Sequence, residues 1–173
     1  MNEVLYKKNV IVKTFFLGIF LALAICTPLF LKNKFVISTI INFILLLSVA
    51  SIGMSRSIIV CIVPSIVAIS VGMLPSMLLP FIPLIMLSNI LLVVIFNAFQ
   101  KYSHFFALFL AALIKCSFLY SLGWGAKNLF PNSSYLKPIV VIVNTHQIIG
   151  AFSAAAIVFV IITLLKLKSK TNG

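Results

Sequence analysis

Apolar residues run through this chain in blocks too long and too uniform to be the single faces of a soluble fold. Six blocks stand out, at 14–31, 35–53, 57–73, 78–99, 105–122 and 139–165, each near the ~20 residues an α-helix needs to cross a bilayer core. Short polar breaks separate them: Lys32 to Lys34, Arg56, Gln100–Lys101 and the stretch from Lys127 to Lys137. Backbone in lipid must satisfy its own hydrogen bonds, so such blocks predict helices. The pattern therefore predicts an all-α polytopic membrane protein, a six-helix transmembrane bundle forming a single domain over 1–173.

Proline interrupts this pattern in two places. Pro64 lies inside the third block, where neighbouring helices in a membrane bundle can satisfy the freed carbonyl. Pro75, Pro80 and Pro83 cluster between the third and fourth blocks, so 72–83 cannot be one continuous helix although it is apolar. That segment reads either as a tight re-entrant turn or as a lid over an outward-facing pocket.

Composition agrees with the pattern, since 63% of the 173 residues are hydrophobic and 8% charged, far from the mix of a soluble domain. Charge then orients the bundle. With six spans, Lys7, Lys8, Lys13, Arg56, Lys101, Lys166, Lys168 and Lys170 fall on one side, while Lys32, Lys34, Lys127 and Lys137 fall on the other. Eight cations against four predict that both termini are cytoplasmic, N-in/C-in. Tyr120 and Trp124 near the outer end of the fifth span fit an interfacial belt. The +12 net charge sits in short clusters between apolar runs, where it meets anionic lipid head groups and not nucleic acid. Lys7, Lys8 and Lys13 before an apolar run imitate a signal peptide, and Leu23-Ala24-Ile25-Cys26 imitates a lipoprotein cleavage site. Ile25 is too bulky for that site, so the segment is expected to be an uncleaved first helix.

The single acidic side chain is Glu3. Acid–base hydrolysis, Mg²⁺-dependent phosphoryl transfer and carboxylate-driven proton transport therefore lack their groups. No phosphate-cradling Gly-rich loop with Lys and Ser/Thr is present, so the chain does not hydrolyse ATP by itself. Cys26, Cys61 and Cys116 are far apart and read as small apolar residues, not as a zinc, iron–sulfur or disulfide set. No catalytic residue, metal ligand or cofactor is expected; an enzyme would have to rest on His146 or a cysteine.

Polar side chains inside the spans carry what chemistry remains. Asn42 falls in the outer half of the second span, Asn89 near the middle of the fourth, Lys115 near the middle of the fifth, and Asn144 and Gln147 in the outer part of the sixth. Asn97 lies near the inner surface. A lysine near the bilayer centre costs about 2.5–3.5 kcal/mol on insertion scales and must find a partner or a cavity. Lys115 is thus either a counter-charge for an anionic ligand or a structural tie that snorkels or donates to carbonyls and Asn side chains. Asn144, Gln147, Ala151 and Ala154 or Ala155 form one inward stripe at helical spacing, with His146 well off it. On the first span Gly18, Ala22 and Cys26 recur every four residues, a small-residue face that lets another helix approach, from within the chain or from a partner.

Six helices with both ends inside, a small-residue face on the first and polar residues in the outer halves of later ones resemble the substrate-binding S components of energy-coupling factor (ECF) transporters. Gly18-x-x-x-Ala22 approximates the Ala-x-x-x-Ala of many S components. The run Pro64-Ser65-Ile66-Val67-Ala68-Ile69-Ser70-Val71-Gly72-Met73-Leu74-Pro75, continuing through Phe81-Ile82-Pro83 to Ser88-Asn89, looks like a group of small bacterial membrane proteins with S-component-like topology. Some of that group carry an iron hydrogenase label, which three scattered cysteines do not support. The resemblance implies uptake of a small, vitamin-like micronutrient across the bacterial plasma membrane, and Lys115 read as a counter-charge would make that ligand anionic. It also implies a transmembrane coupling subunit and ATPase subunits as partners, with Gly18 and Ala22 at the coupling interface. Competing expectations are a channel, which needs a polar path through both leaflets, and a structural or assembly subunit, which needs no pocket.

Overall fold

A computed structural model describes the backbone at 2–72, 82–129 and 146–171, and the side chains there except at 2–9, 68, 126–129 and 166–171. The described residues form helices and no strand, and the chain turns briefly between helices at 31–33, 53 and 100–103. The helices are α1 (Asn2–Phe30), α2 (Lys34–Ile52), α3 (Met54–Ser70), α4 (Ile82–Phe99), α5 (His104–Leu129) and α6 (Gln147–Thr171). All-helical architecture follows from the apolar blocks.

Helix boundaries depart from the blocks where local chemistry overrides hydropathy. α1 starts at Asn2, so its helix continues twelve residues N-terminal to Thr14 through the polar segment holding Lys7, Lys8 and Lys13. α3 starts at Met54 and not at position 57, because Gly53 turns the chain in a single residue at φ +86°, a conformation that glycine adopts without penalty. The amide of Gly53 closes α2 on the Val49 carbonyl at 3.2 Å, and the Ser57 hydroxyl reaches back to the Gly53 carbonyl at 2.9 Å. α2 is capped by Asn33, whose side chain accepts from the amides of Phe35 and Val36, the usual remedy for orphan donors at a helix start. Pro83 sits in the first turn of α4, where its missing N–H is not needed. The proline-rich segment 73–81, expected to be a re-entrant turn or a lid, and position 144 lie outside the described residues.

Among the described residues, five helices contain segments long and apolar enough to cross a membrane: Val10–Phe30, Lys34–Ile52, Ile82–Phe99, His104–Gly125 and Gln147–Leu165. The chain is accordingly a membrane helical bundle. The third block gives a shorter apolar helix of 17 residues, with Pro64 inside it, spanning about 25 Å at the helical rise.

The helices close into a ring, α1 to α2 to α6 to α5 to α4 to α3 and back to α1, and α2 also reaches across to α3 and α4. That central position explains its burial: Ile41, Asn42, Ile44, Leu45, Leu46, Ser48, Val49 and Ile52 are all buried. Lipid is as apolar as a leucine, so helix contact in a membrane depends on close packing. Small residues provide it here. Ala107, Ala111 and Ala112 on α5 and Ala151, Ala154 and Ala155 on α6 are buried, as the stripe on the sixth block requires. On α1, Phe20, Ala24 and Thr27 face the bundle, whereas Ile11, Phe15, Ile19, Leu23 and Leu29 are exposed.

Candidate functional site

Lys115 lies on the same stripe of α5 as Ala107 and Ala111, spaced four residues apart, and the contact of α5 with its neighbours carries the side chain inward. It is 1% exposed, so it does not snorkel. Its ammonium donates to Asn42 Oδ1 at 2.5 Å and to Asn89 Oδ1 at 2.6 Å, lengths typical of charge-assisted bonds or shorter. Because an ammonium cannot accept, both amides must present oxygen to it, and their nitrogens point elsewhere. Asn42 Nδ2 donates to Ser38 Oγ at 3.3 Å, one turn earlier on α2, and Ser38 Oγ donates to Gln147 Oε1 at 3.3 Å on α6. On the other side, Asn89 Nδ2 reaches the Cys61 carbonyl at 3.5 Å, a long contact, and Cys61 Sγ points to the Asn89 carbonyl at 3.6 Å. One polar chain thus links α6, α2, α5, α4 and α3.

Four of the expected binding residues, Lys115, Asn42, Asn89 and Gln147, come together in this chain. Asn144 is outside the described residues. Ser38 and Cys61 join the chain although neither was singled out; the four-residue spacing of Ser38 and Asn42 was the available signal. Cys61 had no such signal: Pro64 frees the Val60 carbonyl, one residue before the Cys61 carbonyl that Asn89 reaches. Buried hydroxyls elsewhere behave differently. Those of Thr27, Ser48 and Ser88 return to carbonyls of their own helices at 2.7 Å, the local bonding such residues favour, while Ser38 bonds across to another helix.

Asn97 takes no part. Its amide donates to Met54 Sδ at 3.5 Å and accepts from Gln100 Nε2 at 3.0 Å, a separate knot at the turn between α2 and α3. His146 is half-buried at the start of α6. Gly18, Ala22 and Cys26 are all exposed, and a Cβ added at Gly18 would meet nothing within 4 Å. The small-residue face of α1 is therefore not used for packing among the described residues.

What the polar chain leaves over is donor capacity and charge. An ammonium has three N–H groups; two of those on Lys115 are taken by neutral oxygens, and the only acidic side chain of the protein is Glu3. No protein-family profile, curated protein or solved structure matches the chain.

Proposed function

We propose that this protein is the membrane-embedded substrate-binding subunit of an ECF-type uptake transporter, capturing a small anionic, vitamin-like micronutrient at Lys115. The observation that carries this reading is the 1% exposed lysine whose charge, among the described residues, meets only two amide oxygens. A buried charge without a counter-charge is costly, and a ligand carboxylate supplies one. Asn42, Asn89 and Gln147, with Asn144, are the accompanying ligand contacts in this reading. The protein sits in the bacterial plasma membrane with both termini cytoplasmic. It works with a transmembrane coupling subunit and ATPases, performs no catalysis and takes no cofactor.

The exposed Gly18 and Ala22 support a partner surface on α1, since small residues let a second helix approach closely. Replacing both with Leu should abolish co-purification of partner subunits and uptake, while the melting temperature of the isolated protein stays within a few degrees. Intact transport by that double variant would remove the reason for a coupling partner. Topology has its own test. Cysteine-accessibility mapping should label Lys32→Cys and Lys137→Cys from outside and Lys101→Cys only after permeabilisation; a terminus labelled from outside sinks the N-in/C-in arrangement.

A second reading has its own support. Full burial of Lys115 and the aim of both amide oxygens at it also suit a structural tie in an assembly subunit. The two readings differ in what removal of the ammonium does to binding and to stability.

A further inference from the structure

Among the described residues, two cations at the end of the bundle where α1 and α3 begin have no partner. Lys13 and Arg56 are both half-buried, and neither makes a hydrogen bond or an ion pair. The one acidic side chain of the protein, Glu3, is ten residues before Lys13, about 15 Å away along α1 at the helical rise.

Helical periodicity puts the two cations on facing flanks. On α1, Lys13 extends by one turn the inward stripe of Leu17, Phe20, Ala24 and Thr27. That stripe meets α2 and α3, the neighbours of α1. On α3, the Met54 sulfur meets Asn97 of α4 at 3.5 Å. At about 100° per residue, Arg56 points about 200° away from Met54, to the flank opposite α4. It shares that flank with Val63 and Val67, which are likewise half-buried, and the ring of helices places α1 on that side of α3.

Their heights agree as well. Lys13 lies seventeen residues before Phe30, about 26 Å from the turn that joins α1 to α2. From that turn α2 descends 19 residues and α3 climbs back two from Met54 to Arg56, leaving Arg56 about 25 Å from it. Two like charges at one level of one helix seam repel unless an anion lies between them.

The surroundings select the anion. Three residues further into the membrane on each helix, Phe16 and Ile59 are 42% and 48% exposed, so apolar surface open to lipid begins beside the charges. A molecule with an anionic head and apolar tails matches both. Arginine offers a planar fork that holds phosphate oxygens in pairs, and lysine a second point charge.

We infer that the α1–α3 seam binds the phosphate head of an anionic phospholipid, with Arg56 as the fork, Lys13 as the second charge, and Phe16 and Ile59 beside the acyl chains. Such a seam retains one lipid in place, unlike the diffuse attraction of the other basic clusters, and is independent of what Lys115 holds.

Native mass spectrometry of the delipidated full chain tests the seam with two lipids of identical acyl chains, phosphatidylglycerol and zwitterionic phosphatidylcholine. The protein should retain one phosphatidylglycerol with about tenfold preference over phosphatidylcholine. Lys13→Gln combined with Arg56→Gln should abolish that preference. Lys32→Gln combined with Lys34→Gln removes the same charge from exposed lysines at the other end of the bundle and should keep it. Both double variants should melt with the parent in lipid-free detergent, so that a lost preference is not lost folding. Soluble glycerol phosphate should not compete; full competition would make the seam a site for free phosphate and overturn the lipid assignment. The same preference in the Lys13→Gln, Arg56→Gln protein and its parent, or equal loss in both double variants, would overturn it too. If the Lys13→Gln, Arg56→Gln protein keeps the lipid and loses a co-purifying subunit, the two cations face an acidic partner protein instead.

Discussion

If Lys115 holds an anionic ligand as proposed, Lys115→Met should leave the protein folded with nearly unchanged stability while ligand binding is lost. Two opposing effects act on the fold. The substitution strands the oxygens of Asn42 and Asn89 that now accept from the ammonium at 2.5 and 2.6 Å, at about 1–3 kcal/mol each. It also removes the cost of holding a lysine in the membrane interior, about 2.5–3.5 kcal/mol on insertion scales. These nearly cancel, so the melting temperature should move by only a few degrees. Ligand binding has no such offset: truncating one partner of a buried charge pair costs about 2–5 kcal/mol, thirtyfold or more in affinity. Asn89→Ala, Asn144→Ala and Gln147→Ala should each lose less, about 1–3 kcal/mol, if they hydrogen-bond the ligand. Native mass spectrometry of protein purified from its own host reads the small molecule carried through, and a thermal scan of the same samples reads stability. Full occupancy in the Lys115→Met protein, together with a large fall in melting temperature, would establish the structural tie in place of the anion site.

The hydropathy blocks sufficed for the helices because in lipid the backbone has almost no alternative. They did less well at helix ends. Gly53 starts α3 three residues early through its positive φ, and a single-residue turn leaves no mark on a hydropathy profile. The polar start of α1 likewise carries no apolar signal although it is helical. Within the site, Lys115, Asn42, Asn89 and Gln147 were legible because a polar side chain in an apolar block is expensive and must be accounted for. Ser38 and Cys61 were not, since a serine can satisfy itself on its own helix and a cysteine is indistinguishable from a small apolar residue. Gly150, where an added Cβ would stand 2.8 Å from Ser38 Cβ, was silent for another reason: its importance lies in what stands opposite it, the Ser38 side chain, and the meeting of residues 112 positions apart is a property of the packed bundle. The outward face of Gly18 and Ala22 could not be read either. A small-residue repeat says that something can approach, and only the arrangement of the other helices says that none of the described ones does.

The largest loss of stability should come from Asn42→Leu combined with Asn89→Leu. Both residues are buried, at 1% and 5% exposure, and leucine keeps the branched outline and heavy-atom count of asparagine with bulkier methyl groups. The shape of the site is therefore kept, at a modest overpacking cost. What changes is Lys115, which keeps its charge and loses both of its hydrogen-bond acceptors. Breaking a buried pair from one side costs about 3–5 kcal/mol, because the charge left behind is uncompensated. Each single substitution should cost less than half of this, since the other amide oxygen still accepts from the ammonium. Adding Lys115→Met to the double variant should then restore most of the loss, because replacing every member of a buried polar cluster with apolar groups of similar shape is close to neutral. The four proteins form a thermodynamic cycle, and thermal or denaturant unfolding in one detergent reads it. A positive coupling of several kcal/mol between the amide pair and Lys115 is the expected result. If the triple variant is less stable than the double, the three side chains act independently and the bonds joining α2, α4 and α5 at this point do not hold the bundle together.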